Sequence, residues 1–337
     1  MIRPQDLLCP KPEGLYCAPG DFYIDPVRPV DRAVITHGHA DHARAGHGVV
    51  VATPQTLDIM ACRYGEDFTG RRHPLAYGES LTRDGVEITL APAGHVLGSA
   101  QAVVRWKGLT IAVSGDYKRA PDPTCVPFEP VACDVFVTEA TFGLPVFCFP
   151  PAADEVDKLL ASVEQFPDRA HIVGAYALGK AQRLISTLRA RGWDRPIHVH
   201  GALERLNGLY ERWGVELGPI APATTSRKAD FAGAIVIAPP SATQDRWSRR
   251  FPDPVLSFAS GWMRVRARAR QRAVELPIIL SDHADWNELT RTIEEVRPGE
   301  VWITHGREEA LARWCELNGV HARALDLVGY EDDEETG

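Results

Sequence analysis

The stretch His37-Gly38-His39-Ala40-Asp41-His42 places three imidazoles and a carboxylate in six positions. Imidazole nitrogen and carboxylate oxygen are donors that suit Zn²⁺, and also Mn²⁺ or Fe²⁺. Apolar Val34 and Ile35 lead into the stretch, so it sits where a buried strand ends in a loop. At a strand end alternate residues share a face, so His37 and His39 can converge on one ion. Asp41 and His42 lie past the turn and can reach a second. A single histidine here would read as a surface or helix-capping residue; an ordered H-x-H-x-D-H after a β-run reads as a metal site.

Further candidates recur in the same setting. Val86–Leu90 alternates as a strand and leads to Gly94-His95, where an imidazole can reach inward from a loop. Leu109–Val113 ends in Ser114-Gly115-Asp116, a carboxylate placed to bridge two ions. The run from Asp134 to Glu139 is a buried strand ending in an acid. Leu276–Leu280 runs into Ser281-Asp282-His283, and Val301-Trp302-Ile303 into Thr304-His305-Gly306. Asp25 closes the apolar run Phe22-Tyr23-Ile24; it either braces the histidine loop by accepting hydrogen bonds or is an ordinary turn aspartate. His47, His73, His171, His198, His200 and His321 lack the strand-end context and read as structural or surface residues.

The elements that must position these side chains change character along the chain. Residues 15–36 read as strand, turn and strand. Thr53 as N-cap and Pro54 at the first helical position open a helix after the strand 49–52, and residues 65–84 are polar and turn-rich. Strands at 102–106 and 109–113 flank a Lys107-Gly108 turn. From Asp154 onward strands and helices alternate: strands at 170–173, 196–200, 234–238 and 255–259, with helices ending near Gln165, Arg191 and Trp213. That alternation implies a compact parallel α/β subdomain. Within it, Gly174 to Lys180 has the spacing of a phosphate-binding loop. Ala181 stands where a hydroxyl would ligate Mg²⁺, so nucleotide hydrolysis is rejected. A glycine-opened helix N-terminus can still hold another phosphate, with Lys180 and Arg183 helping. Arg264, Arg266, Arg268, Arg270 and Arg272 recur every second residue. They form one ridge in a strand; in a helix Arg264, Arg268 and Arg272 share a side. The pattern is either a solvated face or a contact for phosphate backbone, which arginine meets with bidentate geometry.

Length and composition set the frame. With 337 residues and 45% hydrophobic residues the chain can build one large or two ordinary domains around a full core. No apolar run is long enough for a transmembrane helix, and the first 20 residues lack the charged and apolar regions of a signal peptide. Seven scattered cysteines without a C-x-x-C pair point to free thiols in a reducing compartment, hence the cytoplasm. A net charge of −8 argues against bulk coating of nucleic acid but leaves room for a local basic groove. Part of the deficit is the run Glu331 to Glu335, expected to be a disordered tail.

The ordered set His37-x-His39-x-Asp41-His42, His95, Asp116, Glu139, His283 and His305 resembles the metallo-β-lactamase superfamily, in its nucleic-acid-processing β-CASP branch. Residues 175–182 look like the branch's Pro-x-x-x-x-Gly-Arg-x-Gln segment with small changes. Thr138 to Gly143 resembles its first acidic motif, and Ser281 to Asp285 and Thr304 to Gly306 its later histidine motifs. The resemblance implies an αββα four-layer sandwich built from residues 1–150 and 275–330, with a β-CASP-like α/β subdomain inserted at 151–274 and a tail at 331–337. It implies His37, His39 and His95 on one metal ion, Asp41, His42 and His305 on the other, and Asp116 bridging. The two ions would be Zn²⁺, or Mn²⁺. His283 would be the general acid, its other ring nitrogen held by Glu139, or else a phosphate-binding hydrogen-bond donor. Lys180, Arg183, Arg264 and Arg268 would bind substrate, with Asp25 in support. The short insert, Ser260 to Met263 and the Leu280 to Trp286 segment look most like the bacterial ligase-associated DNA exonucleases. That likeness implies DNA repair on single-stranded or processed ends, alongside a DNA ligase and a helicase, with no membrane association. A ribonuclease, a small-molecule hydrolase and an inactive scaffold are the alternatives.

Overall fold

The structure, a computed structural model, describes residues 2–306, 308–325 and 327. The expected acidic tail lies outside the described residues. The chain divides into two compact units: residues up to Cys148 with those from His283 onward, and Phe149–Asp282.

The first unit is built on two sheets. One has six strands in chain order: Leu8–Lys11, Gly14–Cys17, Phe22–Ile24, Arg32–Val34, His47–Ala52 and Thr69–Pro74. The other has seven, in the order His321–Ala324, Glu300–Gly306, Val135–Ala140, Leu109–Val113, Ala100–Trp106, Val86–Pro92 and Ser80–Arg83. The sheets face each other through Leu15, Phe22, Ile24 and Val34 on one side and Ile88, Val104, Ile111, Val137 and Trp302 on the other. Helix Pro54–Tyr64 covers the outer face of the first sheet, setting Leu57 and Met60 on Ala33, Val50 and Ala52. Helices Trp286–Val296 and Glu308–Leu317 cover the outer face of the second, setting Leu289, Ile293 and Leu311 on Val103, Phe136, Val301 and Ile303. This is the expected αββα sandwich. The central strand Val135–Ala140 is buried at every residue because both its faces are covered, which is why it reads as continuous apolar sequence.

Leu8–Lys11, Thr69–Pro74, Ser80–Arg83, Ile220–Pro222 and His321–Ala324 escaped the sequence reading. Thr69–Pro74 and Ser80–Arg83 fall in the segment expected to be turn, and each lies at the edge of its sheet. Neither has a fully buried residue, so neither carries an apolar pattern; Arg71 and Arg72 on the first are the charges an edge strand tolerates.

The second unit is a six-stranded, all-parallel sheet in the order Ile220–Pro222, Ile197–Val199, Ile235–Ala238, His171–Gly174, Val255–Ala259 and Leu276–Ile278. Its last strand corrects a boundary. Residues 275–282 were expected in the closing part of the sandwich, but Leu276–Ile278 pairs with Val255–Ala259, and Glu155 on helix Ala152–Gln165 accepts from the Ile279 amide. An apolar strand looks the same in either sheet, so its sequence could not say which it joined. The arginine run resolves as helix: Arg266–Gln271 is helical, Arg268 stacks on Trp262 with 3.9 Å to the ring centroid, and Arg272 lies over Phe258. Arg264, Arg266 and Arg270 are exposed.

Candidate metal centre

Every candidate ligand in the first unit follows the C-terminal end of a strand or sits on it. Val86–Pro92, Leu109–Val113, Val135–Ala140 and Glu300–Gly306 all run in one direction within their sheet, so their C-terminal ends lie along one edge. That edge delivers His95, Asp116, Glu139 and His305, and the loop after Arg32–Val34 supplies the rest.

Asp116 is the focus. Its Oδ2 lies 3.3 Å from His37 Nε2, 3.5 Å from His42 Nε2 and 3.7 Å from His95 Nε2. Donor atoms of His37, His39, His95 and Asp116 lie within 4.8 Å of one another, as do those of Asp41, His42 and Asp116, and those of Asp116, Glu139 and His283. His95 Nε2 and His39 Nδ1 are 2.9 Å apart. His42 Nε2 is also 3.5 Å from Asp41 Oδ2, and the His305 ring centroid is 5.4 Å from that of His42.

The surroundings decide which nitrogen each ring presents. Asp25 accepts from the Thr36 amide at 2.7 Å and from the Thr36 hydroxyl at 2.5 Å. With its proton committed there, the Thr36 oxygen can only accept from His37 Nδ1, 3.1 Å away, and this leaves the lone pair on Nε2. Asp25 Oδ2 lies 2.8 Å from His42 Nδ1 and sets that ring the same way. Thr304 donates to the Thr138 carbonyl and stands 2.8 Å from His305 Nδ1. Sequence reasoning missed both threonines, although the repeated tripeptide Thr-His-Gly, at 36–38 and 304–306, was there to be seen.

His305 is placed by a backbone irregularity. The register between Val135–Ala140 and Glu300–Gly306 shifts after Glu139, leaving His305 as the extra residue of a bulge with φ of +58°. A bulge re-aims a side chain, and a non-glycine residue at positive φ is held there by its surroundings. Gly306 follows at φ +92°, where any Cβ would collide with the Ala140 carbonyl. Gly115 beside Asp116 is equally confined: a Cβ there would lie 2.6 Å from the Thr36 hydroxyl.

The electrostatics suit a cation. His37 Nε2 is buried without a hydrogen-bond partner. Burial, then the neighbouring His42 and His95, push His37 well below the usual imidazole range, and burial takes His305 down to about 3. Both are therefore neutral, the form that ligates. Burial pushes the Asp116 carboxyl up to about 8. Burial also opposes charge on His42, but the Asp116, Asp41 and Asp25 carboxylates outweigh it and hold that imidazole well above its usual range. Burial works against ionised Asp41 too, yet His42 and His39 keep its carboxyl below the usual range. Asp116 and His42 thus tend to hold protons that a divalent cation would displace. The donor set, imidazole and carboxylate, fits a divalent metal and Zn²⁺ in particular.

The remaining predicted residues divide. His283 Nδ1 stands 2.9 Å from Glu139 Oε2 and 4.0 Å from Asp116 Oδ2. In the second unit Lys180 and Arg183 depart from the phosphate contact expected of them. Both are buried; Lys180 Nζ pairs with Asp282 Oδ1 at 3.2 Å, and Arg183 donates to the Ser281 carbonyl at 3.1 Å. Their charges brace the turn at 281–282, a use that a glycine-opened helix N-terminus did not advertise. Four of the histidines set aside serve the fold: His47 accepts from the Val30 amide, His171 contacts Ser162, His198 contacts Ser226, and His200 caps a helix.

Comparison with known proteins agrees with this geometry. A family model described as a Zn-dependent metallo-hydrolase RNA specificity domain matches residues 273–325. A probable DNA ligase of Opitutus terrae is 29% identical over 96% of this chain and 31% of its own length. The endoribonuclease ysh1 of Aspergillus fumigatus is 36% identical over 40% of this chain and 15% of its own. An RNase J-like protein of Methanocaldococcus jannaschii is 21% identical over 82% of each chain. The crystal structure of a protein of unknown function from Enterococcus faecalis V583 shares the fold, with a TM-score of 0.58 and 13% identity over 88% of this chain and 80% of that one. The chain thus spans less than a third of the first of these relatives. Together with the αββα sandwich, these likenesses support a metallo-β-lactamase fold of the β-CASP nuclease branch.

Two outcomes follow. Zn²⁺ titrated into the metal-free protein should release protons at pH 7, where Asp116 is largely protonated, and fewer by pH 9. Calorimetry in buffers of different ionisation enthalpy measures this; release that does not change with pH would contradict the raised Asp116. Gly306→Ala should displace His305 and weaken Zn²⁺ binding roughly 10–100-fold, read by chelator competition, with circular dichroism little changed.

Proposed function

We propose that the chain hydrolyses phosphodiester bonds of DNA, as an exonuclease on single-stranded or processed ends, with two divalent ions, Zn²⁺ or Mn²⁺. One observation carries the reading: two sets of histidine and acid donors meet at Asp116, and beside them His283 has a carboxylate partner of its own. In this reading His37, His39 and His95 would hold one ion and Asp41, His42 and His305 the other, with Asp116 serving both. Such ions supply a nucleophile at neutral pH and neutralise charge on the phosphoryl oxygens.

The other steps belong to the protein. Glu139 holds His283 Nδ1 and leaves Nε2 to give a proton to the departing sugar oxygen. Arg264, exposed, and Arg268, stacked on Trp262, offer guanidinium groups to phosphate. The relative named as a probable DNA ligase, alike over 96% of this chain, favours DNA and a place beside a ligase, and with it a helicase, in repair. Seven free cysteines suit the cytoplasm, and no described helix is long and apolar enough to cross a membrane. RNA is the second reading, favoured by the description of the matched family model and by the Aspergillus endoribonuclease.

Equal single-stranded DNA and RNA, labelled at either end, test the substrate: DNA shortening from one end is expected, and preferential internal cutting of RNA would replace this reading with the second. His283→Ala should keep its metals and lose roughly 10²–10⁴-fold in kcat on DNA. The loss should be far smaller on a p-nitrophenyl phosphodiester, whose leaving group needs no proton. Equal losses on both substrates would make His283 a phosphate-binding donor instead.

A further inference from the structure

Two carboxylates fasten the loop after Asp116 to the segment around His283. Glu139 is one: its Oε1 accepts from the Tyr117 amide at 2.8 Å while Oε2 meets His283 Nδ1. Glu288, on helix Trp286–Val296, is the other. Its Oε2 accepts from Lys118 Nζ at 2.6 Å and from the Asp285 amide at 3.0 Å. Its Oε1 accepts from the Ala120 amide at 2.7 Å and the Arg119 amide at 3.2 Å. Arg119 reaches on to Thr292 at 3.2 Å and Glu295 at 2.6 Å.

Capping the helix explains only the Asp285 bond, whose reciprocal is Glu288 N to Asp285 Oδ1. The other three donors come from residues 118–120, directly after Asp116 and Tyr117. Lys118 and Glu288 side chains are 6% and 16% exposed. Taking such a pair out of water costs about as much as its attraction returns, so a buried ion pair is poorly explained as a stability device. Here it fixes a register: the loop carrying Asp116 is locked against the helix that begins three residues after His283.

We propose that Glu288 is a positioning residue of the metal centre, holding Asp116 and His283 in their mutual geometry through the backbone of residues 118–120. It touches neither metal nor substrate. The idea rests on Asp116 being a ligand, as in the proposed function, but its test does not need turnover.

The probe is Zn²⁺ alone, its affinity measured by chelator competition on the full chain. Glu288→Gln keeps the helix cap within reach but loses the charge that gathers the loop; Zn²⁺ affinity should fall roughly 10–100-fold. It also breaks the ion pair with Lys118 and lowers Tm. The double variant Lys118→Met with Glu288→Gln removes the lysine charge as well; Tm should recover while Zn²⁺ affinity stays low. Affinity within threefold of wild type in Glu288→Gln, or affinity recovering together with Tm in the double variant, would overturn the proposal and leave only a structural ion pair. Absence of nuclease activity in the wild type would strike the proposed reaction and leave this measurement standing.

Discussion

The structure depends on keeping seven or more ionisable groups out of water at the C-terminal edge of a sheet. Imidazoles and carboxylates resist burial unless each is hydrogen-bonded or shares its charge with a partner. The solution is asymmetric. At His37, His42 and His305 one ring nitrogen is committed to a threonine or aspartate behind it, and the other faces the cluster. The backing residues hold no place in the cluster's own chemistry, yet they orient it. Asp25 alone joins the Thr36 amide, the Thr36 hydroxyl and His42 into one buried network.

The sheet makes this affordable in geometry. Parallel strands end together, so three neighbouring strands, 109–113, 135–140 and 300–306, offer side chains at one edge without long loops. Where regular pairing would aim a residue wrongly, the chain departs from it. The bulge at His305, with the glycine after it, turns the last histidine toward His42. Local irregularity of this kind persists because packing on both faces of the sheet leaves little freedom to relax it.

What the sequence discloses follows from the same physics. The candidate ligands were legible because a polar, ionisable residue after a buried strand contradicts its apolar context, and the contradiction recurs in a fixed order. The central strands were legible as apolar runs, and helix Pro54–Tyr64 from its Thr53 cap. The edge strands were not, since Thr69–Pro74 and Ser80–Arg83 bury no residue fully. Leu276–Ile278 was read as a strand but given to the wrong sheet, because pairing is a long-range choice that its three residues do not encode. Lys180 and Arg183 misled for a related reason. A cation beside a glycine loop looks ready for phosphate, and only the fold supplies the carboxylate and carbonyl that claim it.

The pattern of protonation shows why the cluster suits a cation. Folding raises Asp116 to about 8, so from the ordinary carboxylate range up to that pH the metal-free folded chain holds a proton that the unfolded chain has released. The stability this group contributes is therefore present in acid and lost as pH rises through about 8. His305, lowered to about 3, has the opposite sign: its contribution is present above the ordinary imidazole range and lost as pH falls toward 3. No single pH satisfies both groups in the metal-free chain. A divalent ion at the cluster would remove the conflict, since ionised Asp116 and neutral His305 are the forms it would bind. The opposed shifts, produced by one burial, would make metal binding and folding parts of the same equilibrium.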